Sequence, residues 1–296
     1  MNKLCISVPC WGEFYRNLFI NTVLPAQAMA LEIANAPFHY IIHTDEDEEV
    51  FKAIRNTFSK KPLYEGISFF PVAKAEKYEA FGKAHQEALF HAEMNSVVVL
   101  TDADLIWSMN TLAAAIKLFH STKKKLILYC VPRILLQDPI LRIADFRAHT
   151  LAHIAAEHLH PINKELIWGR GRSRTPSSIM FQEGMNLSTN AFHLVPLALV
   201  KDRNILFEGT HDDGLVAQFQ REDIHVVTHP NEGMVGVELS PERGEELGEL
   251  LNVDFVSAWA QKHTTPLQRW LFSHTITLRG SAQPNPVVQQ ILERLK

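Results

Sequence analysis

Short apolar runs alternate with segments of helical periodicity along the first half of the chain. Leu4 to Pro9 reads as a strand, stopped by Pro9 and Gly12. Glu13 to Ala34 carries apolar residues at Phe14, Leu18, Val23, Ala26 and Leu31, a helical region predicted to break at Pro25. Phe38 to Asp45 reads as a second strand ending in an acid, and the acidic run Glu46 to Glu49 suits a helix N-terminus. A third strand is predicted over Ile67 to Val72. A helix over Lys77 to Met94 follows, with Tyr78, Phe81, Ala88 and Ala92 on one stripe. That helix leads into Ser96 to Trp107, where Val97 to Leu100 has the composition of a strand buried on both faces of a parallel sheet. A helix (Asn110 to Ser121), a fifth strand (Leu126 to Val131) and a long helical pattern (Ile140 to Leu159) come next. This alternation predicts βαβ units and an α/β fold around a mostly parallel sheet.

The second half is less regular. Trp168 to Pro176 has loop composition, with Arg170, Arg172 and Arg174 and no acid. A mobile solvated loop and a lid that closes on phosphate oxygens are both compatible with it, since guanidinium forks match such oxygens. Glu183 to His193 follows as a glycine- and asparagine-rich turn leading into a hydrophobic element. An acidic pair, Asp212-Asp213, then opens a helix, and a strand at Ile224 to Val227 ends near His229. Helix capping alone accounts for at least one of the two acids.

Composition narrows the classes. The chain has 296 residues, 46% hydrophobic and 21% charged, enough to bury a sizeable core. A formal net charge of −4 gives no basic footprint, so a nucleic-acid partner is not expected. The three cysteines, Cys5, Cys10 and Cys130, show no Cys-x-x-Cys spacing, which favours a reducing, cytoplasmic setting. Cys10, between Pro9 and Trp11, is expected to be the more accessible. The first residues hold an apolar run too short for a signal-peptide core, and no window has the length of a membrane span. Charge shifts near the end: Glu232 to Asp254 has seven acids and one base, whereas Phe255 to Leu292 has no acid but several aromatics. This tail suits either packing on the domain or peripheral contact at the inner face of a membrane.

Asp102-Ala103-Asp104 is the strongest chemical feature. A strand as apolar as Val97 to Leu100 delivers both carboxylates to the sheet's carboxyl edge, where open α/β sheets bind ligands. Two hard oxygen donors there suit a divalent cation holding a diphosphate. Strand-end acids also cap helices, so the pair alone is a weak signal. His149 and His153 lie four apart with Glu157 beyond. Residue 150 is Thr, however, so the zinc motif H-E-x-x-H is absent and a solvated or core-edge histidine pair is the expectation. No glycine-rich phosphate loop follows the first strand, and Gly169-Arg170-Gly171-Arg172 is not one, which argues against dinucleotide dehydrogenases and P-loop enzymes.

Taken in order, Asp102-Ala103-Asp104, Ser188-Thr189-Asn190-Ala191-Phe192, Asp212-Asp213-Gly214-Leu215 and Ile224-His225-Val226-Val227 resemble the inverting glycosyltransferases of GT-A fold, family two in particular. That family shows a D-x-D, a turn of the type G-x-N-x-A-F, an E-D opening a helix, and a strand written G-x-x-V. The resemblance covers roughly residues 4 to 230. It implies a GT-A, Rossmann-like catalytic domain over 1–235, with a nucleotide part to about 108 and an acceptor part from 109. A helical extension or lid would occupy 236–296. The implied activity moves a sugar from a nucleotide-diphosphate donor to a hydroxyl of a saccharide or glycolipid acceptor, with Mn²⁺ or Mg²⁺.

Carried over by position, Asp104 is the metal ligand, Asp102 supports metal or ribose, and Asp213 is the catalytic base. Pro9, Asp45, Lys77 or Lys83, and Ala103 would meet the nucleotide. Asn190, Asp212 and the three arginines would face the acceptor or diphosphate. A third metal ligand is implied near the end of such domains; His229 is the candidate and His263 its rival. The sequence departs from the family at Asp212 (Glu), His193 (often Arg) and Asp223 (Gly), and Gln268-Arg269-Trp270 resembles the acceptor motif Q-x-x-R-W only in part. The alternatives are a retaining GT-A transferase, a sugar nucleotidyltransferase and a non-catalytic carbohydrate-binding scaffold. The first-strand loop Pro9 to Glu13 lacks the basic, glycine-rich character of nucleotidyltransferases.

Overall fold

The computed structural model describes residues 3–72, 76–136, 146–207, 211–241, 248–281 and 283–296. The chain forms two compact units, each assembled from two stretches: 1–128 with 196–225, and 129–195 with 226–296. The units are therefore interleaved in sequence.

The first unit is built on the seven-stranded sheet, whose strands are β1 (Leu4–Pro9), β2 (Phe38–Thr44), β3 (Tyr64–Pro71), β4 (Val97–Leu100), β6 (Leu126–Tyr129), β11 (Val195–Val200) and β12 (Ile224–Val226). Their order is β12-β6-β11-β4-β1-β2-β3. Strands β1 to β4 run parallel as neighbours, with Leu4 opposite Phe38 on one side and Val97 on the other. β11 pairs antiparallel with β4. Every residue of β1 and β4 is buried, as strands covered on both faces must be. The fold class is thus the expected one, a mostly parallel sheet flanked by helices.

Sequence order explains where a ligand would go. The chain builds β1, β2 and β3 outward and then returns to lay β4 on the other side of β1. The direction of winding reverses between β1 and β4, and the crevice beyond their carboxyl ends is the usual ligand position in such sheets. A short strand β5 (Leu105–Trp107) follows the β4 turn.

Helix Lys77–His91 covers this part of the sheet, with Ala80, Ala84 and Ala88 buried, so that small side chains let it lie close to β1. Lys201 closes its end: the nearly buried ammonium donates to the carbonyls of Leu89 and Ala92, the groups a helix C-terminus leaves unpaired. The expected break at Pro25 takes a specific form. Helix Glu13–Leu18 passes through a π turn, Phe19–Val23, into helix Leu24–Ala34, where Pro25 sits in the first turn. The wider turn accommodates the ring and its missing N–H without ending the helical run.

In the second unit, β9 (Ser178–Glu183) and β10 (Asn186–Ala191) form a hairpin, with β15 (Ile276–Arg279) on the other edge of β10. β7 (Arg133–Leu135) and β13 (Gly236–Ser240) pair in parallel. The stretch expected to be a loop, Trp168 to Pro176, contains strand β8 (Arg172–Ser173), paired antiparallel with β14 (Glu249–Leu250). Helices Val253–His263, Pro266–Phe272 and Pro286–Arg294 pack on the hairpin. Phe192 stacks on Phe272 with ring centroids 4.0 Å apart and lies 5.8 Å from Trp259. Two of the tail's aromatics are thereby core partners. Of the long helical pattern, Ala148–Glu157 is helix, while 137–145 lies outside the described residues.

Candidate active site

The turn after β4 brings Asp102, Ala103 and Asp104 to one wall of a cleft of about 300 Å³, partly open to solvent. Pro9 and Trp11, after β1, form a second wall; Tyr15, Lys77 and Phe81 complete it. All eight residues belong to the first unit, at the reversal point between β1 and β4. Trp11 and Phe81 have ring centroids 4.9 Å apart. The Lys77 ammonium lies 5.8 Å from the Tyr15 ring centroid and 5.7 Å from that of Phe81, within cation–π range. The cleft thus combines an aromatic surface, a cation and two carboxylates.

Of the expected donor residues, Pro9, Lys77, Asp102, Ala103 and Asp104 come together here. Lys83 does not line this cleft: it is exposed and pairs with Glu79 at 2.7 Å. Asp45 braces the loop instead. Its Oδ2 accepts from the Gly12 N–H at 3.0 Å and its Oδ1 from Arg16 Nη1 at 2.6 Å. Desolvation works against its charge, but the Gly12 and Arg16 hydrogen bonds prevail and hold the carboxyl below its ordinary range. Gly12 has φ 79°, a left-handed value that glycine adopts without strain, and this turn sets the direction of Trp11.

Sequence reasoning missed Trp11, Tyr15 and Phe81, and with them Ser7 and His85. His85 is buried on the helix, its Nδ1 2.8 Å from Ser7 Oγ and its Nε2 4.0 Å from Asp102 Oδ1. The available signal was spacing: Lys77, Phe81 and His85 fall at intervals of four on one helix face.

Asp212 and Asp213 occupy the first turn of helix His211–Val216, which packs against helix Lys77–His91 within the first unit. Their side chains lie outside those described. The remaining candidates belong to the second unit. Asn190 is fully buried in β10, and its amide nitrogen donates to Phe272 O at 2.9 Å and Thr275 Oγ1 at 3.3 Å. Arg170, Arg172 and Arg174 are exposed, with Arg170 donating to Gln182 at 2.6 Å. His229 Nδ1 accepts from Asn231 N–H at 3.0 Å, capping the turn Pro230–Glu232. His263 stacks on Trp259 at 5.4 Å. His153 is about half exposed and its Nε2 lies 3.1 Å from Glu157 Oε1 on the same helix. Arg269 donates to the backbone oxygens of Gln261, Thr264 and Leu295, a clamp on the C-terminal helices.

Cys10 is a correction. It is fully buried beneath the turn rather than accessible, and burial pushes its thiol up to about 12.

The donor set fits a hard divalent cation of the Mg²⁺ or Mn²⁺ kind, which binds through one or two carboxylates and completes its shell with phosphate oxygens and water. Among the described residues no cluster of three or more His, Cys, Asp or Glu side chains forms a protein-only metal site. Also among them, no helix is long and apolar enough to cross a membrane.

No family model and no curated protein matches this sequence. Solved structures do show likeness. One is S. aureus TarS, at 18% identity over 45% of this chain and 22% of that one, with a TM-score of 0.33. Another is S. aureus TarS 1–349 in complex with UDP-GlcNAc, at 14% identity over 99% of this chain and 72% of that one, TM-score 0.40. A third is the mannosyltransferase PcManGT from Pyrobaculum calidifontis in complex with GDP-Man and Mn²⁺, at 15% identity, 99% and 68% coverage, and TM-score 0.42. The chain thus spans about a fifth of the length of the first TarS chain it matches.

Proposed function

We propose that this protein is a GT-A glycosyltransferase that moves a sugar from a nucleotide-diphosphate donor to an acceptor hydroxyl, with inversion at the anomeric carbon. The observation that carries this reading is the cleft beyond β1 and β4, where Asp102 and Asp104 share one space with Trp11, Tyr15, Phe81 and Lys77. Aromatic rings suit the flat face of a base, and the lysine suits phosphate oxygens. Asp104, with Asp102, would hold Mn²⁺ or Mg²⁺, which when bound supplies positive charge to the leaving diphosphate.

Asp213 is proposed as the base that takes the acceptor proton. Its helix packs on the helix that carries Lys77 and Phe81, which keeps the two functions in one unit. His229 is left out of this reading: its Nδ1 accepts from the Asn231 N–H, so the ring carries its proton on Nε2 and offers no lone pair there to a metal. The acceptor is proposed to be a saccharide or glycolipid, met by the exposed arginines Arg170, Arg172 and Arg174. The proposed setting is the cytoplasm, with peripheral contact at the inner face of the membrane as the alternative.

A panel of UDP-, GDP-, CMP- and dTDP-sugars with Mn²⁺ tests this reading through release of the nucleotide, which is the nucleoside diphosphate for every member except the CMP-sugar, the monophosphate control. At least one donor is expected to be slowly hydrolysed without acceptor, and Asp213→Asn to abolish turnover while donor binding persists. Anomeric-proton NMR of the product would then show inversion; retention would remove the role of Asp213 as base. Neither binding nor hydrolysis of any donor would leave only the scaffold reading.

A further inference from the structure

Helix Lys77–His91 presents Lys77 and Phe81 to the cleft, and two turns beyond Lys77 the same face presents His85 inward. Its side chain is only 1% exposed. A buried neutral imidazole carries one donor nitrogen and one acceptor nitrogen, and both need suitable neighbours. Here Nδ1 is 2.8 Å from Ser7 Oγ, and Ser7 is itself fully buried in β1. Nε2 is 4.0 Å from Asp102 Oδ1. Phe207, with its ring centroid 5.9 Å from that of His85, adds an aromatic neighbour on another side of the imidazole.

The tautomer follows from charge. If Nδ1 carried the proton, the Nε2 lone pair would face a carboxylate oxygen, and the two would repel. If the Ser7 hydroxyl donates to Nδ1, the proton lies on Nε2 and its N–H dipole points at Asp102. The second arrangement pairs Nδ1 with Ser7 and turns the Nε2–H dipole toward Asp102 across a gap longer than a hydrogen bond. Asp102 Oδ1 is buried although the side chain as a whole is 29% exposed. The half of the carboxylate nearer His85 is therefore turned inward, and the other half faces the cleft.

We infer that His85, oriented by Ser7, is a positioning residue that fixes which oxygen of Asp102 is offered to the donor's metal and diphosphate. The inference rests on the donor-site reading above. Groups behind a ligating carboxylate fix its direction, and their loss commonly weakens metal binding 10- to 100-fold. Ser7 acts one step further back, by selecting the ring's tautomer.

The test is calorimetric titration of the full chain with Mn²⁺ in the presence of inorganic pyrophosphate, a probe that does not depend on the donor's base. Circular dichroism and the melting temperature of each variant report folding. His85→Leu should bind about 10- to 100-fold more weakly than wild type. His85→Gln, which can place an N–H donor near the Nε2 position, should bind within about threefold of wild type, and Ser7→Ala should be weakened by an intermediate factor. That rescue separates positioning from packing, because a merely structural histidine would not be replaced by glutamine in binding. A folded His85→Leu that binds like wild type overturns the inference, as does a His85→Gln as weak as the leucine variant. Should His85→Leu fail to fold, Ser7→Ala decides, and undiminished binding in it overturns the proposal. Failure of the wild type to bind Mn²⁺ with pyrophosphate would overturn the donor-site reading itself, and this inference with it.

Discussion

Arg16 Nη1 donates to Asp45 Oδ1 at 2.6 Å, and through the other Asp45 oxygen this pair holds the Gly12 turn that carries Trp11 into the cleft. An acid just after β2 therefore shapes the cleft from behind. Arg16→Ala and Asp45→Asn should each cost about 1 kcal/mol in urea unfolding, as partly exposed charged pairs do. Both should weaken nucleotide-sugar affinity severalfold through Trp11, and the double variant should lose little more than either alone. Additive losses would show that the two residues act separately. The Asp45 carboxyl titrates below its unfolded value, so its contribution is present above that unfolded value and fades as pH falls through the folded one.

His43 gives a pH dependence of its own. The ring is buried against Phe70, 5.2 Å away, and burial pushes its pKa down to about 4. In the unfolded chain histidine binds a proton near pH 6.5, so between about 6.5 and 4 the unfolded state holds more protons than the folded one. Stability should fall as pH is lowered across that window, by up to about 1.4 kcal/mol per pH unit for this one group. His43→Phe should flatten this part of the curve. An unchanged curve would mean that His43 is not the group responsible.

Lys201 is a stability test for the helix that bears Lys77, Phe81 and His85. Its ammonium is the described donor to the carbonyls of Leu89 and Ala92. Lys201→Met should destabilise by roughly 2 kcal/mol, the cost of leaving buried polar groups unpaired, measured by chemical denaturation.

Thiol chemistry checks the burial beneath the cleft. Cys5 and Cys10 are buried, and burial raises each thiol to about 12. Neither should react with an aromatic disulfide reagent at pH 8 in the native protein, whereas all three cysteines should react after unfolding in denaturant. Rapid native labelling of Cys10 would contradict the packing of the β1 turn.

The parts of the fold legible in the sequence were those encoded locally. Val97 to Leu100 could only be a strand covered on both sides, and the acids after it had to emerge at the sheet edge. The second half resisted reading because its order comes from distant partners. Arg172-Ser173 looked like loop because nothing nearby reveals Glu249-Leu250 as its pairing strand. Asn190 looked like a polar turn residue because its hydrogen-bond partners, Phe272 and Thr275, lie far along the chain. Trp11 and Tyr15 were hidden for another reason: they lie on either side of the Gly12 turn, and only the reversal between β1 and β4 shows that they face a cleft.

The most direct measurement is calorimetric binding of the nucleotide-sugar panel to wild type and Asp104→Asn, with Mn²⁺ and again with EDTA. Binding of at least one donor that weakens tenfold or more on removal of the metal, and equally in Asp104→Asn, is the predicted result. Donor binding indifferent to both changes, or no binding by any member of the panel, would contradict the assignment of the Asp102–Asp104 cleft as a metal-assisted diphosphate site.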